Sequence, residues 1–412
     1  MVPDAGHLLV APRAAGLTLA FVLGGVALGT ASGLLPGLHA NNMALVLAVL
    51  APTLPGPPVL VGCAMLAAGV VHTFLDVVPA LALGVPDPAM AASALPGHRL
   101  VLEGRGGEAL RLSAFGSAAA VVVAVPLAVP MTWLMTALYP TIRAHLSLVL
   151  GGAALLLVLT ERSHRRRVGG ALAAATSAAL GWVALDYPVA GPFGAGDVLL
   201  PLFAGLFGAP VLIDAVGGAG VPPQADPTVT LSRRAVGGLG TVGTVAGAVV
   251  GYVPGVSSAI AATLALLAVP GRYGGRGFIV ATSGVNTANT VFALFALVAL
   301  GQPRTGVLVA MDRAGVPLDL PRLLVAVVVA AAAGFALVVT LGDRYLELVG
   351  RVDSTRLSVS VLAMLVALSF AFAGGAGVVL FAVSALVGLL PVRLGARRAH
   401  LMGVLMGPLA LG

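Results

Sequence analysis

Residues 33–52 read GLLPGLHANNMALVLAVLAP, and residues 251–270 read GYVPGVSSAIAATLALLAVP. The two stretches align without a gap, 218 residues apart, with Gly33/Gly251, Pro36/Pro254, Gly37/Gly255, Ala44/Ala262 and Pro52/Pro270 identical. With 55 Gly and 28 Pro in 412 residues, a chance second copy of the four Gly and Pro positions has odds of roughly 1 in 30, so a duplication accounts for them better. In each copy an apolar segment runs into Pro-Gly, breaks, and restarts with polar and then apolar residues. In a membrane such a break is tolerated only where the freed backbone lines a cavity or is buried in protein. Two breaks at matching positions of two halves point to a transport site.

The chain around this pair is apolar: 59% hydrophobic, 9% charged, with a mean hydropathy of +1.07. A soluble domain carries about 25% charged residues, so a polytopic protein of the plasma membrane is expected, with the lipid bilayer as its surroundings. All 22 basic residues are Arg, and the net charge is +7. That charge fits the positive-inside bias of a membrane protein. No basic run is interleaved with aromatics, so no nucleic-acid partner is expected. The single cysteine, Cys63, excludes an intramolecular disulfide and a Cys-rich metal site. The start, MVPDAGHLLVAPR, lacks a basic n-region and reads as preceding a first spanning helix, without a cleaved signal.

Apolar segments fall near 15–35, 38–52, 57–84, 113–137, 145–160, 168–185 and 197–217, then near 236–253, 255–270, 277–300, 321–342, 357–374, 375–391 and 399–412. That is seven elements in each half, 1–217 and 236–412, joined by a linker at 218–235. The 15 residues of 38–52 reach only ~22 Å as a helix, short of the bilayer core, so they form a half-helix or span only with help from a water-filled site. An odd number of elements puts the second half into the membrane from the opposite side. Stepping through the segments from Arg162, Arg165, Arg166 and Arg167 places 17 arginines on one side and five on the other, the five being Arg13, Arg143, Arg304, Arg313 and Arg322. That bias favours an all-α fold of two inverted-topology repeats with broken helices at Pro-Gly. The polar loop 86–112 reads as a cytoplasmic surface segment with a short amphipathic helix near its end.

Few polar groups lie inside apolar segments. Around the breaks these are Pro36, Gly37, His39, Asn41 and Asn42, then Pro254, Gly255, Ser257 and Ser258. The third element of each half carries His72, Thr73 and Asp76, then Asn286, Thr287, Asn289 and Thr290. Such Asn, Ser and Thr residues serve either to bridge helices or, repeated beside two broken helices, to bind a substrate. No arginine lies among them, so an anion would rest on helix N-termini, whose N–H groups and dipole are positive. His72 and Asp76 share a helix face. They form either a structural pair or the ion-coupling site, for a proton or sodium ion, together with Thr73. No other cofactor is implied.

Enzyme motifs are missing: there is no HExxH, GxSxG or P-loop, and VGGLGTVG (236–243) reads as close helix packing. GLLPGLHANN (33–42), HTFLDVVPALALGVPD (72–87), LPGHRLVLEGRGGEAL (95–110), GDVLLPLFAGLFGAP (196–210) and GYVPGVSS (251–258) together resemble the large permease subunit of the tripartite tricarboxylate transporter family, especially its archaeal branch. Residues 96–99 read PGHR where bacterial members have an Asp-Gly-Tyr-Pro pattern. The resemblance implies an ion-gradient-driven permease for di- and tricarboxylates, partnered in bacterial members by a small membrane subunit and an extracytoplasmic binding protein. The competing expectation is a flippase for an anionic lipid carrier such as a polyprenyl phosphate.

Overall fold

The computed structural model describes residues 12–38, 40, 43, 47, 56–85, 91–192, 198–253 and 258–411. Among the described residues every regular element is helical. In chain order the helices are α1 (Pro12–Gly33), α2 (Pro58–Leu83, interrupted at Asp76), α3 (Ala91–Leu102), α4 (Gly106–Ala144), α5 (Leu146–Leu159) and α6 (His164–Ala184). There follow α7 (Leu199–Ala215, with a π turn at Ala204–Gly208), α8 (Arg233–Tyr252), α9 (Ser258–Ala268), α10 (Gly274–Leu300) and α11 (Gly306–Arg313). The last three are α12 (Leu320–Arg351), α13 (Ser354–Leu394) and α14 (Gly403–Leu411). Seven of the described helical stretches are long and apolar enough to cross a bilayer. Exposed Trp133, Val379 and Leu386 stud the outer faces of two of them, and Leu148, Leu155 and Val183 those of α5 and α6, a surface suited to lipid and not to water. The chain is an all-α, multi-pass membrane protein.

Glycines set how the helices meet. Gly25 lies on Ala64, Gly29 on Ala68, and Gly33 on Leu75, so α1 and α2 run parallel in close contact. Gly243 lies on Ala281, Gly247 on Val285 and Ala288, and Gly251 on Phe292, so α8 and α10 do the same. The two glycine triplets are 218 residues apart at every member. Small residues four apart are what allow helix backbones to approach in a membrane, where lipid is as apolar as Leu.

Other contacts orient the remaining long helices. Cys63 meets Arg322 and Phe74 meets Gly334, so α2 and α12 are parallel. Gly106 faces Leu346, Arg111 pairs with Asp343 at 2.9 Å and Phe115 packs on Phe335, so α4 opposes α12. Arg276 pairs with Glu108, Ser283 with Ser113 and Tyr252 with Thr132, so α4, α8 and α10 run together. Thus α1, α2 and α12 point one way, and α4, α8 and α10 the other. The halves also interlock: α2 packs on α12, and α10 on α4.

Their last elements are exchanged in the same manner. Gly205 of α7 packs on Ser384 of α13, and Gly388 of α13 on Leu206. Gly403 of α14 packs on Ser177 of α6, and Gly181 of α6 on Val404.

The 41 residues of α13 would span ~60 Å if straight. Yet Ser354, at its start, donates to the Ala215 carbonyl at 2.6 Å, while Arg398, just past its end, lies 3.6 Å from Asp214. The helix therefore folds back, with Gly374 (φ 61°, ψ −155°) as the corner, a conformation open only to glycine. The expected segments 357–374 and 375–391 are its two arms.

One expectation is corrected. The helix of the 86–112 loop is Ala91–Leu102, earlier than the loop's end, and it is packed inward. Gly97 fits against Leu81 and Ile279, Val101 is fully buried, and α4 already begins at Gly106. Leu100 and Val101 turn inward, which favours burial over a surface position, while Leu102 is half exposed. The linker is also held down: Gln224 accepts from the Gly106 N–H, and Thr230 donates to Glu108.

One end of the molecule thus gathers Arg105, Arg111, Arg276, Arg351 and Arg356, joined by Arg397 and Arg398. Glu161 clamps that end, accepting from the Arg397 N–H at 2.9 Å and from its Nε at 3.0 Å, with His400 Nε2 at 2.9 Å. Burial pushes its pKa up, but the Arg397 N–H, His400 and the guanidinium outweigh it and hold the carboxyl down from 4.5 to about 2.

Cysteines placed at 100–107 and 163–166 in a Cys63→Ala background are expected to label from one side, and those at 186–192 and 305–315 from the other. Labelling of 100–107 and 305–315 from the same side would contradict the helix directions. The Glu161 charge adds stability above its unfolded value of 4.5 and loses it as pH falls toward about 2. Thermal unfolding in detergent should show a midpoint drop below pH 4.5 that Glu161→Gln abolishes; an equal drop in the variant would assign the acid response elsewhere.

Candidate functional site

Two breaks converge where α1 and α2 meet. Pro79 has no N–H to give the Leu75 carbonyl, so α2 is interrupted at Asp76 and resumes at Val77. α1 ends at Gly33, and residues 34–37 turn, with Pro36 and Gly37 buried. Gly37 has φ +74°, a left-handed conformation, and a β-carbon there would stand 2.9 Å from Leu365. Gly33 lies beside Leu75 and the Asp76 N–H, so the Pro-Gly turn begins next to the interruption of α2.

The polar side chains gather where α2 and α10 cross antiparallel. Asp76, only 2% exposed, accepts a hydrogen bond from Asn286 Nδ2 at 2.6 Å. Thr73 and Thr287 place their hydroxyls 3.2 Å apart, and Asn286 also reaches the Thr73 carbonyl at 3.5 Å. A carboxylate and an amide from the two halves thus bind each other in the core. One turn away, Asn289 Nδ2 donates to Ser258 at 3.1 Å, at the start of α9, and Asn289 Oδ1 is buried without a hydrogen-bond partner among the described residues. Thr290 is buried as well. His72 Nδ1 lies 2.9 Å from Ser32, whose hydroxyl also approaches the Gly29 carbonyl and Met43 sulfur. One hydroxyl hydrogen serves only one of these, so the Ser32–His72 bond has two available directions.

The structure brings Thr73, Asp76, Asn286 and Thr287 into one cluster and Ser258 with Asn289 into another. His39, Asn41, Asn42, Pro254, Gly255 and Ser257 lie outside the described residues. The sequence reading missed Ser32, Ser113, Ser117 and Ser283. Ser283 precedes Asn286 by one turn and pairs with Ser113 at 2.7 Å. That spacing was a usable signal. Ser32, in an apolar helix just before the glycine break, was equally visible.

Residues 19–403 match the model of the Tripartite tricarboxylate transporter TctA family. The chain belongs to that family. It is a membrane transporter chain by that membership. It is also 25% identical over 420 aligned positions to an uncharacterized protein of Methanocaldococcus jannaschii, covering 96% of this chain and 98% of the relative. No solved structure matches it.

Gly37→Leu is expected to abolish transport while the protein still inserts in the membrane. A left-handed backbone costs a side-chain-bearing residue about 1–2 kcal/mol, and the added atoms meet Leu365 and Ala204. Wild-type uptake by this variant would reduce the Pro-Gly turn to a packing feature.

Proposed function

We propose that this protein is an ion-gradient-driven secondary transporter for small di- and tricarboxylates in the plasma membrane. Its halves, 1–217 and 236–412 about the 218–235 linker, form two inverted-topology repeats. The opposed directions of the matched pairs α1/α8, α2/α10 and α4/α12 support that arrangement. One observation carries the function: the buried Asp76 carboxylate at an interrupted helix, bonded across the halves to Asn286. A buried intramembrane carboxylate is costly and marks an ion or proton pathway.

The surroundings separate two poles. The first segment of α2 ends at Asp76, so its last carbonyls and the Thr73 and Thr287 hydroxyls supply oxygen ligands beside a carboxylate. Those groups suit a sodium ion or a proton. α9 begins at Ser258 with Asn289 alongside, and its N-terminal N–H groups suit an anion. Two helix ends supply about half a charge each. That favours a mono- or dianion, or a tricarboxylate carried with a neutralising cation. The family's tripartite arrangement extends the proposal to a small membrane subunit and an extracytoplasmic binding protein.

Reconstitution into liposomes with labelled succinate, malate and citrate, under proton or sodium gradients, tests the reading. Saturable, gradient-driven uptake of at least one is expected. Asp76→Asn should abolish accumulation while leaving exchange of pre-loaded substrate. Unimpaired accumulation by Asp76→Asn removes the coupling role. Movement of a labelled polyprenyl phosphate with no carboxylate uptake overturns the function.

A further inference from the structure

A cavity of about 320 Å³ opens at the arginine-rich end, large enough for a small organic ligand. Both halves build it: Leu83 of α2 and His98 of α3 face Val349 of α12, Ser358 of α13 and Arg398. The short second segment of α2, Val77–Leu83, connects it to the Asp76 cluster. Seven helical residues span only ~10 Å, so the cavity lies one short step from that cluster toward the arginine-rich face.

Its chemistry is that of an anion site. The Arg398 side chain is 12% exposed, and its Nη1 is buried without a hydrogen-bond partner among the described residues. Asp214, 52% exposed, lies 3.6 Å from Nη2 and leaves Nη1 unserved. A buried unsatisfied donor of a charged group is costly, and a carboxylate is the fork-shaped acceptor that matches a guanidinium. His98 Nδ1 lies 2.7 Å from the Leu81 carbonyl. A carbonyl only accepts, so Nδ1 carries the hydrogen and Nε2 is the ring's acceptor. Burial, and secondarily Arg398, hold the ring below its ordinary pKa, so it stays neutral at physiological pH. The wall thus offers a cationic fork, a buried hydroxyl at Ser358 and a neutral acceptor. That set suits a carboxylate whose own hydroxyl, or second protonated carboxyl, donates to His98.

We infer that this cavity is a second anion site, centred on Arg398, which holds a small carboxylate between the central cluster and the arginine-rich face. It rests on the transporter reading above for the identity of the ligand.

The test uses the full chain in detergent with Cys63→Ala and Ala215→Cys, a half-buried residue lining the cavity, modified by a small thiol reagent. Citrate, malate and succinate serve as probes, with inorganic phosphate as a separate arm. Citrate or malate is expected to slow modification. Arg398→Gln should raise the concentration needed by about tenfold, the loss of one charge-assisted hydrogen bond, and Arg398→Lys should restore part of it. Asp214→Asn removes the ion pair but keeps the guanidinium, and should preserve protection; loss of protection there as well as in Arg398→Gln would make Arg398 structural and overturn the inference. Protection by phosphate alone overturns the ligand class. No protection, alongside normal liposome uptake, overturns this site and leaves the transporter reading standing. Protection without uptake upholds the site and sinks the transporter reading.

Discussion

The close approach of α1 to α2, and of α8 to α10, is the constraint on which the rest depends. In lipid there is no hydrophobic gain from bringing two apolar helices together, so association relies on contact and on backbone proximity. Gly25, Gly29 and Gly33 provide that proximity along three turns, and Gly243, Gly247 and Gly251 provide it again. The last glycine of the first set brings the end of α1 against Leu75, where α2 is interrupted. A side chain at Gly33 would push the Pro-Gly turn away from Asp76. Helix packing and site geometry are therefore one arrangement, and the repeat of the glycine spacing carries the site's surroundings into both halves.

Parallel packing within each pair has a topological consequence. α1 and α2 run the same way, as do α8 and α10, so neither pair is a simple helical hairpin. α9, with 11 residues, is too short to span the bilayer core. A partial crossing leaves helix ends inside the membrane, where they are tolerated only if buried in protein or facing a polar cavity.

The sequence made some of this legible and not the rest, for physical reasons. The breaks at Pro36-Gly37 and near Pro254-Gly255, the apolar spans and the arms of α13 could be read because Pro, Gly and hydropathy act locally. The inward packing of α3 could not, since it depends on Leu81 and Ile279 from elsewhere in the chain. His72 and Asp76 were read as a pair from their spacing of one turn. The structure shows Ser32 and Asn286 bonded to them, through contacts between distant segments that spacing cannot encode. Glu108 and Glu161 were passed over for the same reason: each looks like a loop acid, and each is instead a buried tie to arginines from the other half.

The distribution of charge follows from what a carrier must do. A guanidinium in the central cluster would hold a carboxylate through a forked, charge-assisted bond, and the site would then release it slowly. Helix N-termini and amides attract the same anion with partial charges, which favours turnover over retention. At Asp76 the bond across the halves comes from a neutral amide, Asn286 Nδ2 at 2.6 Å. Full positive charges are placed instead at the end of the molecule, where water moderates their pull. Arg398 occupies an intermediate depth, buried yet beside a half-exposed Asp214. Its grip on an anion is therefore weakened by a competing carboxylate, the condition under which a charged residue along a path can attract a substrate and still let it go.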